Sequence, residues 1–161
     1  MQELLELATG LPRRSLDPGE VLIVDGEPVH ALFVLLDGAL RIEKDGMPVA
    51  TVSEPGVCVG EMSLLLGIFA TATVIASEPA TVAVVENAPT MLAADSVLAL
   101  ALARLLATRL QVMTTYLADI KVQYADHEGG LGMVDVVLGS LLRGPGARSE
   151  LGSERDPEPE Y

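Results

Sequence analysis

Between Val21 and Val85 the chain alternates short apolar runs with turn chemistry. Val21–Val24, Leu32–Leu36, Ala39–Glu43, Val49–Val52, Thr71–Ala76 and Thr81–Val85 are set off by Pro18-Gly19, Asp25-Gly26, Asp37-Gly38, Asp45-Gly46 and Pro55-Gly56. Asp and Gly tolerate positive φ, so these dipeptides can close tight hairpins. Many short strands at regular spacing predict an antiparallel barrel or jelly roll rather than a parallel α/β sheet. Ahead of them, Glu3–Ala8 reads as a short amphipathic helix ended by Gly10 and Pro12.

After the strands the pattern turns helical. Asn87-Ala88-Pro89 predicts a helix start with an Asn cap and Pro in the first turn, and Asp95 can cap the next helix. From there to about Ala125 no Gly or Pro occurs, and Ala99, Ala103, Leu106, Leu110, Met113, Leu117, Ile120 and Tyr124 recur in alternating four- and three-residue steps. That is a heptad seam, and it predicts a homodimer through residues 99–124, with Leu106, Leu110, Met113, Leu117, Ile120 and Tyr124 at the interface. Apolar residues in Leu131–Leu142 predict a second, shorter helix. Gly144 to Tyr161 is rich in Gly, Pro, Ser, Glu and Arg and reads as an acidic, flexible tail. The expected organisation is therefore a domain over 1–125, a helix in 126–143 and a tail over 144–161.

Composition narrows the functional classes. Among 161 residues, aromatics make up 3% and Trp is absent, so the core must be built from Val, Leu, Ile and Ala. Ten basic against 23 acidic residues give a net charge of −13, a field that repels a phosphate backbone and argues against nucleic acid. Arg13-Arg14 is the one basic pair and reads as a solvated surface feature. Arg104 and Arg109 interrupt the longest apolar stretch, Val97–Met113, so no membrane span is expected, and the acidic N-terminus lacks the basic start of a signal peptide. A cytoplasmic location is the simplest reading. With Cys58 as the single cysteine there is no intrachain disulfide and no cysteine zinc cluster.

The chemistry concentrates in Gly60-Glu61-Met62-Ser63-Leu64-Leu65 and Ala70-Thr71-Ala72-Thr73-Val74. A short helix beginning near Glu61 would turn backbone N–H groups toward an anion, and small residues such as Gly60 and Ser63 would let a phosphate approach. With Pro18-Gly19-Glu20 before the first strand, Leu36-Asp37-Gly38 before an Arg-Ile strand and Pro55-Gly56 before the cassette, residues 3–125 resemble the cyclic nucleotide-binding domain of the catabolite activator and fumarate-nitrate regulator superfamily. The resemblance implies a jelly-roll (double-stranded β-helix) barrel, mainly β with α, with a short N-terminal helix and a long C-terminal dimerisation helix.

It also implies roles. Glu61 would accept a ribose hydroxyl, Met62 and Ser63 would offer backbone contacts to the phosphate, Thr71 and Ala72 would contact it from the other side, and Thr114 would meet the base across the dimer. The chain departs from the pattern at Ala70, where the family carries an arginine on the phosphate. Losing a hydrogen bond to a charged group weakens binding by roughly ten- to a hundredfold. The ligand implied is cyclic AMP or cyclic GMP, with no other cofactor and no metal. Relatives that regulate transcription continue into a winged helix-turn-helix module, and here the acidic segment after Glu128 follows instead, so the resemblance is expected without a DNA-binding module.

His30 and His127 stand outside any metal or nucleophile motif, His30 reading as a strand-edge residue and Cys58 as a small buried hydrophobe. The sequence therefore predicts no enzyme. It predicts a regulatory module that senses a cyclic nucleotide or related ligand and signals through dimer-helix geometry. The alternative is a ligand-independent dimeric scaffold that meets a protein partner through its C-terminal helix and tail.

Overall fold

A computed structural model describes residues 2–123 together with Val134 and Val137, both helical. Tyr124, His127, the rest of 131–142 and the tail over 144–161 lie outside the described residues, and with them the expectations placed there. The chain divides into two compact units, Met1–Leu106 and Ala107–Tyr161.

The first unit opens with helix α1 (Gln2–Ala8), followed by strands β1 (Arg13–Leu16), β2 (Val21–Ile23), β3 (Ala31–Asp37), β4 (Leu40–Lys44), β5 (Met47–Val52) and β6 (Cys58–Val59). Helix α2 (Glu61–Leu66), strands β7 (Thr73–Ala76) and β8 (Ala80–Glu86), helix α3 (Ala88–Ala94) and the start of helix α4 (Ser96–Gln123) complete it. The strands form two four-stranded antiparallel sheets, ordered β1-β8-β3-β6 and β2-β7-β4-β5. This is the jelly-roll arrangement that the spacing of turns predicts.

Two cores explain why β3 and β8 read as continuous apolar runs. In β3, Phe33 and Leu35 enter the core between the sheets, beside Leu40, Val74 and Val82, while Leu32 and Val34 enter a second core with Leu4, Ala8, Leu98 and Leu102. A sheet covered on both faces has no need of polar alternation. The other sheet is covered on one face only, and its edge strand β5 is exposed along nearly its whole length. Two strands escape the periodicity. β1 buries only Leu16 of Arg-Arg-Ser-Leu, and β6 is two residues long. Arg13 and Arg14 are exposed on β1, and Arg14 pairs with Glu20 at 2.7 Å, which holds the Glu20 carboxyl below its ordinary range.

The turns behave as their chemistry predicts. Asp45 and Gly46 both take positive φ, at 52° and 75°, and close the β4–β5 hairpin between the paired Lys44 and Met47. Gly38 sits at φ +86°, where an added Cβ would lie 2.2 Å from the Pro79 carbonyl oxygen, so no larger residue fits. Asn87 takes the expected N-cap position of α3 with Pro89 in the first turn, but it adopts φ 49° and makes no side-chain cap, and its carbonyl accepts from Thr90 and Met91. Tolerance of the left-handed region, rather than capping, is what Asn supplies there. Asp95 does cap α4, its Oδ1 accepting from the N–H groups of Val97 and Leu98 at 2.9 and 3.1 Å. His30 is exposed in the loop one residue before β3, and Cys58 is fully buried in β6.

Within the first unit, α4 buries Leu98, Ala101, Leu102 and Leu105. Arg104, on the same stretch, reaches Glu3 of α1 at 2.7 Å. This buried stripe is offset by one position, about 100° of helix rotation, from the heptad seam of Ala99, Ala103 and Leu106. In the second unit Leu110 and Met113 are exposed and Leu117 and Ile120 are half-buried. Despite its two arginines, Ser96–Lys121 is by length and composition apolar enough to cross a membrane, with mean hydropathy 1.5 in its most apolar window. Of that window 22% is buried, Leu98, Leu102 and Leu105 among the buried residues of the helix.

Candidate functional site

The cassette hangs on Gly60. This residue follows β6 at φ +87°, and a Cβ on it would stand 3.1 Å from the Ala31 carbonyl oxygen and 3.2 Å from Val29 Cγ1. Glycine is required both for the left-handed turn and for the close approach to the barrel wall. α2 then runs for six residues and ends at Gly67, φ 64°, whose N–H donates to the Ser63 carbonyl.

The helix turns its polar residues inward. Glu61 and Ser63 are buried, at 4% and 6% exposure, whereas Met62, Leu65 and Leu66 are exposed. Ser63 Oγ donates to the Phe69 carbonyl over a long 3.4 Å, and Glu61 does not lack a partner. Among the described residues no buried side-chain nitrogen or oxygen is left without one.

Ala70 lies in the barrel core beside Ile23, Val57 and Val74. Its backbone is fully used: its N–H donates to the Glu27 carbonyl and its carbonyl accepts from the Gly26 N–H, both at 2.8 Å. The Asp25-Gly26 turn is pinned further by the Asp25 N–H donating to Thr73 Oγ1 at 3.1 Å and by Lys44, 2.8 Å from Asp25. That contact raises the Lys44 ammonium above its ordinary range. Because Ala70 bonds to this turn, the β7 ladder starts only at Thr73; Thr71 and Ala72, expected within the strand, form a bend before it.

Gly60, Glu61, Met62, Ser63, Ala70, Thr71 and Ala72 thus all belong to α2 and the approach to β7, within the first unit. Thr114 belongs to the second unit, where its hydroxyl donates to the Leu110 carbonyl at 2.8 Å. The buried Glu61 does not line the groove that opens beside α2. A groove of about 450 Å³ is lined by Pro28, Val29, Ser63, Leu64, Gly67, Ile68 and Phe69. Of these the sequence reading places Ser63 and Leu64 in the cassette motif, gives a ligand role to Ser63 and leaves Phe69 as a side chain able to fill the pocket. The uncharged run Gly67-Ile68-Phe69 was the available signal, since apolar residues after a helix-ending glycine have no core of their own to enter. Among the described residues no cluster of His, Cys, Asp and Glu could hold a metal ion.

Residues 13–90 match the family model of the cyclic nucleotide-binding domain. The chain is 38% identical over 76 residues to the acetyltransferase Pat of Mycolicibacterium smegmatis, a match that spans 45% of this chain and 23% of that protein. Among solved structures, the catabolite activator protein of Thermus thermophilus is similar at a TM-score of 0.57 and 25% identity, over 78% of this chain and 60% of that one. The N-terminal domain of a Streptomyces coelicolor A3(2) transcriptional regulator is similar at 0.53 and 25%, over 72% and 85%. A Thermotoga maritima transcriptional regulator reaches 0.60 at 16% identity, over 74% and 98%, which is a likeness of fold.

The acetyltransferase corrects one expectation. The sequence predicts no enzyme because no catalytic constellation is visible, yet a similar segment occurs in an enzyme, so the absence of such a motif from this domain is no ground for excluding one. The matched segment runs from β1 into α3 and takes in both sheets and the cassette, so residues 13–90 carry the cyclic nucleotide-binding domain fold.

Proposed function

We propose that this chain is a ligand-responsive regulatory module whose cassette, Gly60 to Ser63 with Ala70 to Ala72, takes a cyclic nucleotide or a related ligand. The observation that carries the reading is the match of residues 13–90 to the cyclic nucleotide-binding domain, on a barrel where a left-handed Gly60 aims a buried Glu61 and Ser63 inward. Glu61 is the candidate acceptor for a ribose hydroxyl. Ala70 leaves the phosphate without its arginine, so binding is weak unless the ligand carries its own compensation. In the acetyltransferase the similar segment makes up about a quarter of the length, a module-sized share that supports a regulatory role beside another activity. The output would be a population shift in how α4 packs, read through a homodimer built on Leu106, Leu110, Met113, Leu117 and Ile120.

Titration calorimetry with cyclic AMP, cyclic GMP and cyclic dinucleotides tests the sensor. Saturable binding is expected, and Ala70→Arg should tighten a cyclic mononucleotide by roughly ten- to a hundredfold. Silence across the panel, with no gain in the variant, would sink it. Light scattering should report two chains, and Leu110→Asp with Met113→Asp should reduce that to one.

A second reading has its own support. Glu61, Ser63 and Ala70 are closed to solvent, and the apolar residues Leu110, Val112, Met113 and Tyr116 of α4 are exposed. These favour a ligand-independent scaffold that meets a protein partner through its C-terminal helix and tail. Loss of partner capture on removing residues 124–161, with no effect of any nucleotide, would select it.

A further inference from the structure

α2 is an amphipathic helix turned inside out. Residues i, i+3 and i+4 share a helix face, and here that face is Met62, Leu65 and Leu66, at 52, 49 and 65% exposure, while Glu61 and Ser63 are buried. The chain leaving α2 continues the pattern with Ile68 at 45% and Phe69 at 64%. About half of five large apolar side chains faces water, on the order of 500 Å² and at the upper end of what a monomer shows as one patch. A standard interface needs roughly 800 Å² from each partner, so this face supplies more than half of one. Beside it lies the 450 Å³ groove between Pro28-Val29 and Leu64, Ile68 and Phe69.

Charge narrows the occupant. No Lys or Arg stands between Lys44 and Arg104, whereas the exposed Asp45, Glu54, Glu78, Glu86 and Asp95 do. None stands between Arg14 and Arg41 either, the stretch that supplies Pro28 and Val29 of the groove and, next to them in sequence, the exposed Glu27. A second copy docking through this same face would bring the same stretches free of Lys and Arg, which offer no charge to complement it. We infer that the outer face of α2 and the adjoining groove dock an amphipathic helix of another protein, one with an apolar stripe and basic flanks. Met62, Leu65 and Leu66 face outward here, and Ser63 of the cassette also lines the groove, so the proposal rests on the outer face of α2 and not on the ligand.

The test uses the full chain and a labelled leucine–lysine peptide of about 18 residues with a helical apolar stripe. Fluorescence anisotropy at roughly 0.15 M salt should show saturable binding. A scrambled peptide of the same composition and a leucine–glutamate counterpart should each bind at least roughly tenfold more weakly. Leu66→Ser and Phe69→Ser, which add no charge, should each weaken the peptide by roughly tenfold, while Val112→Ser on α4 leaves it unchanged. Unchanged circular dichroism shows that the variants are folded. Absence of saturable binding, or binding indifferent to Leu66→Ser and Phe69→Ser, overturns the proposal. So does a mass of two chains that falls to one on Leu66→Ser, because a second copy would then cover the face.

Discussion

Two leucine-rich helices of the first unit make opposite use of the same side chain. The opening turns of α4 bury Leu98, Leu102 and Leu105 in the core that also holds Leu4, Leu32 and Val85, and leave Arg104 outside. α2 buries Glu61 and Ser63 and leaves Met62, Leu65 and Leu66 in water. The first arrangement is what the hydrophobic effect produces when a helix exists to close a core. The second runs against it, with the polar residues inside and the apolar ones in water. Leucine content is therefore no guide to a helix's purpose; the side on which the leucines lie is.

The largest effect belongs to α4. Leu102 is 3% exposed, so Leu102→Ala removes buried methyls and leaves a cavity, and should cost about 2–5 kcal/mol in urea unfolding. A cost below about 1 kcal/mol would mean that the start of α4 is not part of the barrel's core, and the contrast with α2 would collapse. Next comes the hinge of the inversion. Gly60→Ala puts a Cβ at φ +87°, 3.1 Å from the Ala31 carbonyl oxygen, and should cost about 1–3 kcal/mol. If it proves neutral, the turn that aims Glu61 inward has room to relax, and the orientation of α2 is less fixed than its burial suggests.

The fold was legible where one physical rule governs each position. Asp45-Gly46, the double positive-φ turn, and the runs that became β3, β4 and β8 follow from local chemistry. β1 was hidden because an edge strand that buries only Leu16 shows no period, whereas Asn87 holds the predicted N-cap position with Pro89 in the first turn and differs only in offering a left-handed backbone instead of a side-chain hydrogen bond. In the cassette, Gly60, Glu61 and Ser63 were visible from their types. The groove was not, because Pro28-Val29 and Ile68-Phe69 lie far apart in the chain and only the fold brings them together. The heptad seam on α4 was readable as a period, but nothing in the period said that Leu98 and Leu102, one position away, would be the ones to meet the barrel.

A smaller effect sharpens the α4 side. Asp95→Ala removes the acceptor for the Val97 and Leu98 N–H groups and should cost about 1 kcal/mol. Asp95→Asn should restore most of it, since an amide oxygen caps nearly as well. Failure of Asn to rescue would assign the loss to the charge near the helix start rather than to the hydrogen bonds.

The smallest expected change carries the comparison's other half. Leu66 is 65% exposed on α2, so Leu66→Ser removes little buried area and should shift unfolding by no more than about 0.5 kcal/mol, well below Leu102→Ala, although both remove a leucine from a helix. Serine is a slightly poorer helix former than leucine, which sets the sign of that small shift toward destabilisation. Urea melts of both variants at one protein concentration give the ratio directly. Were Leu66→Ser to cost as much as Leu102→Ala, the outer face of α2 would have to be packed in solution. Repeating the melt at a tenfold lower concentration then tells a bound copy, whose contribution fades on dilution, from a contact within one chain, whose contribution does not.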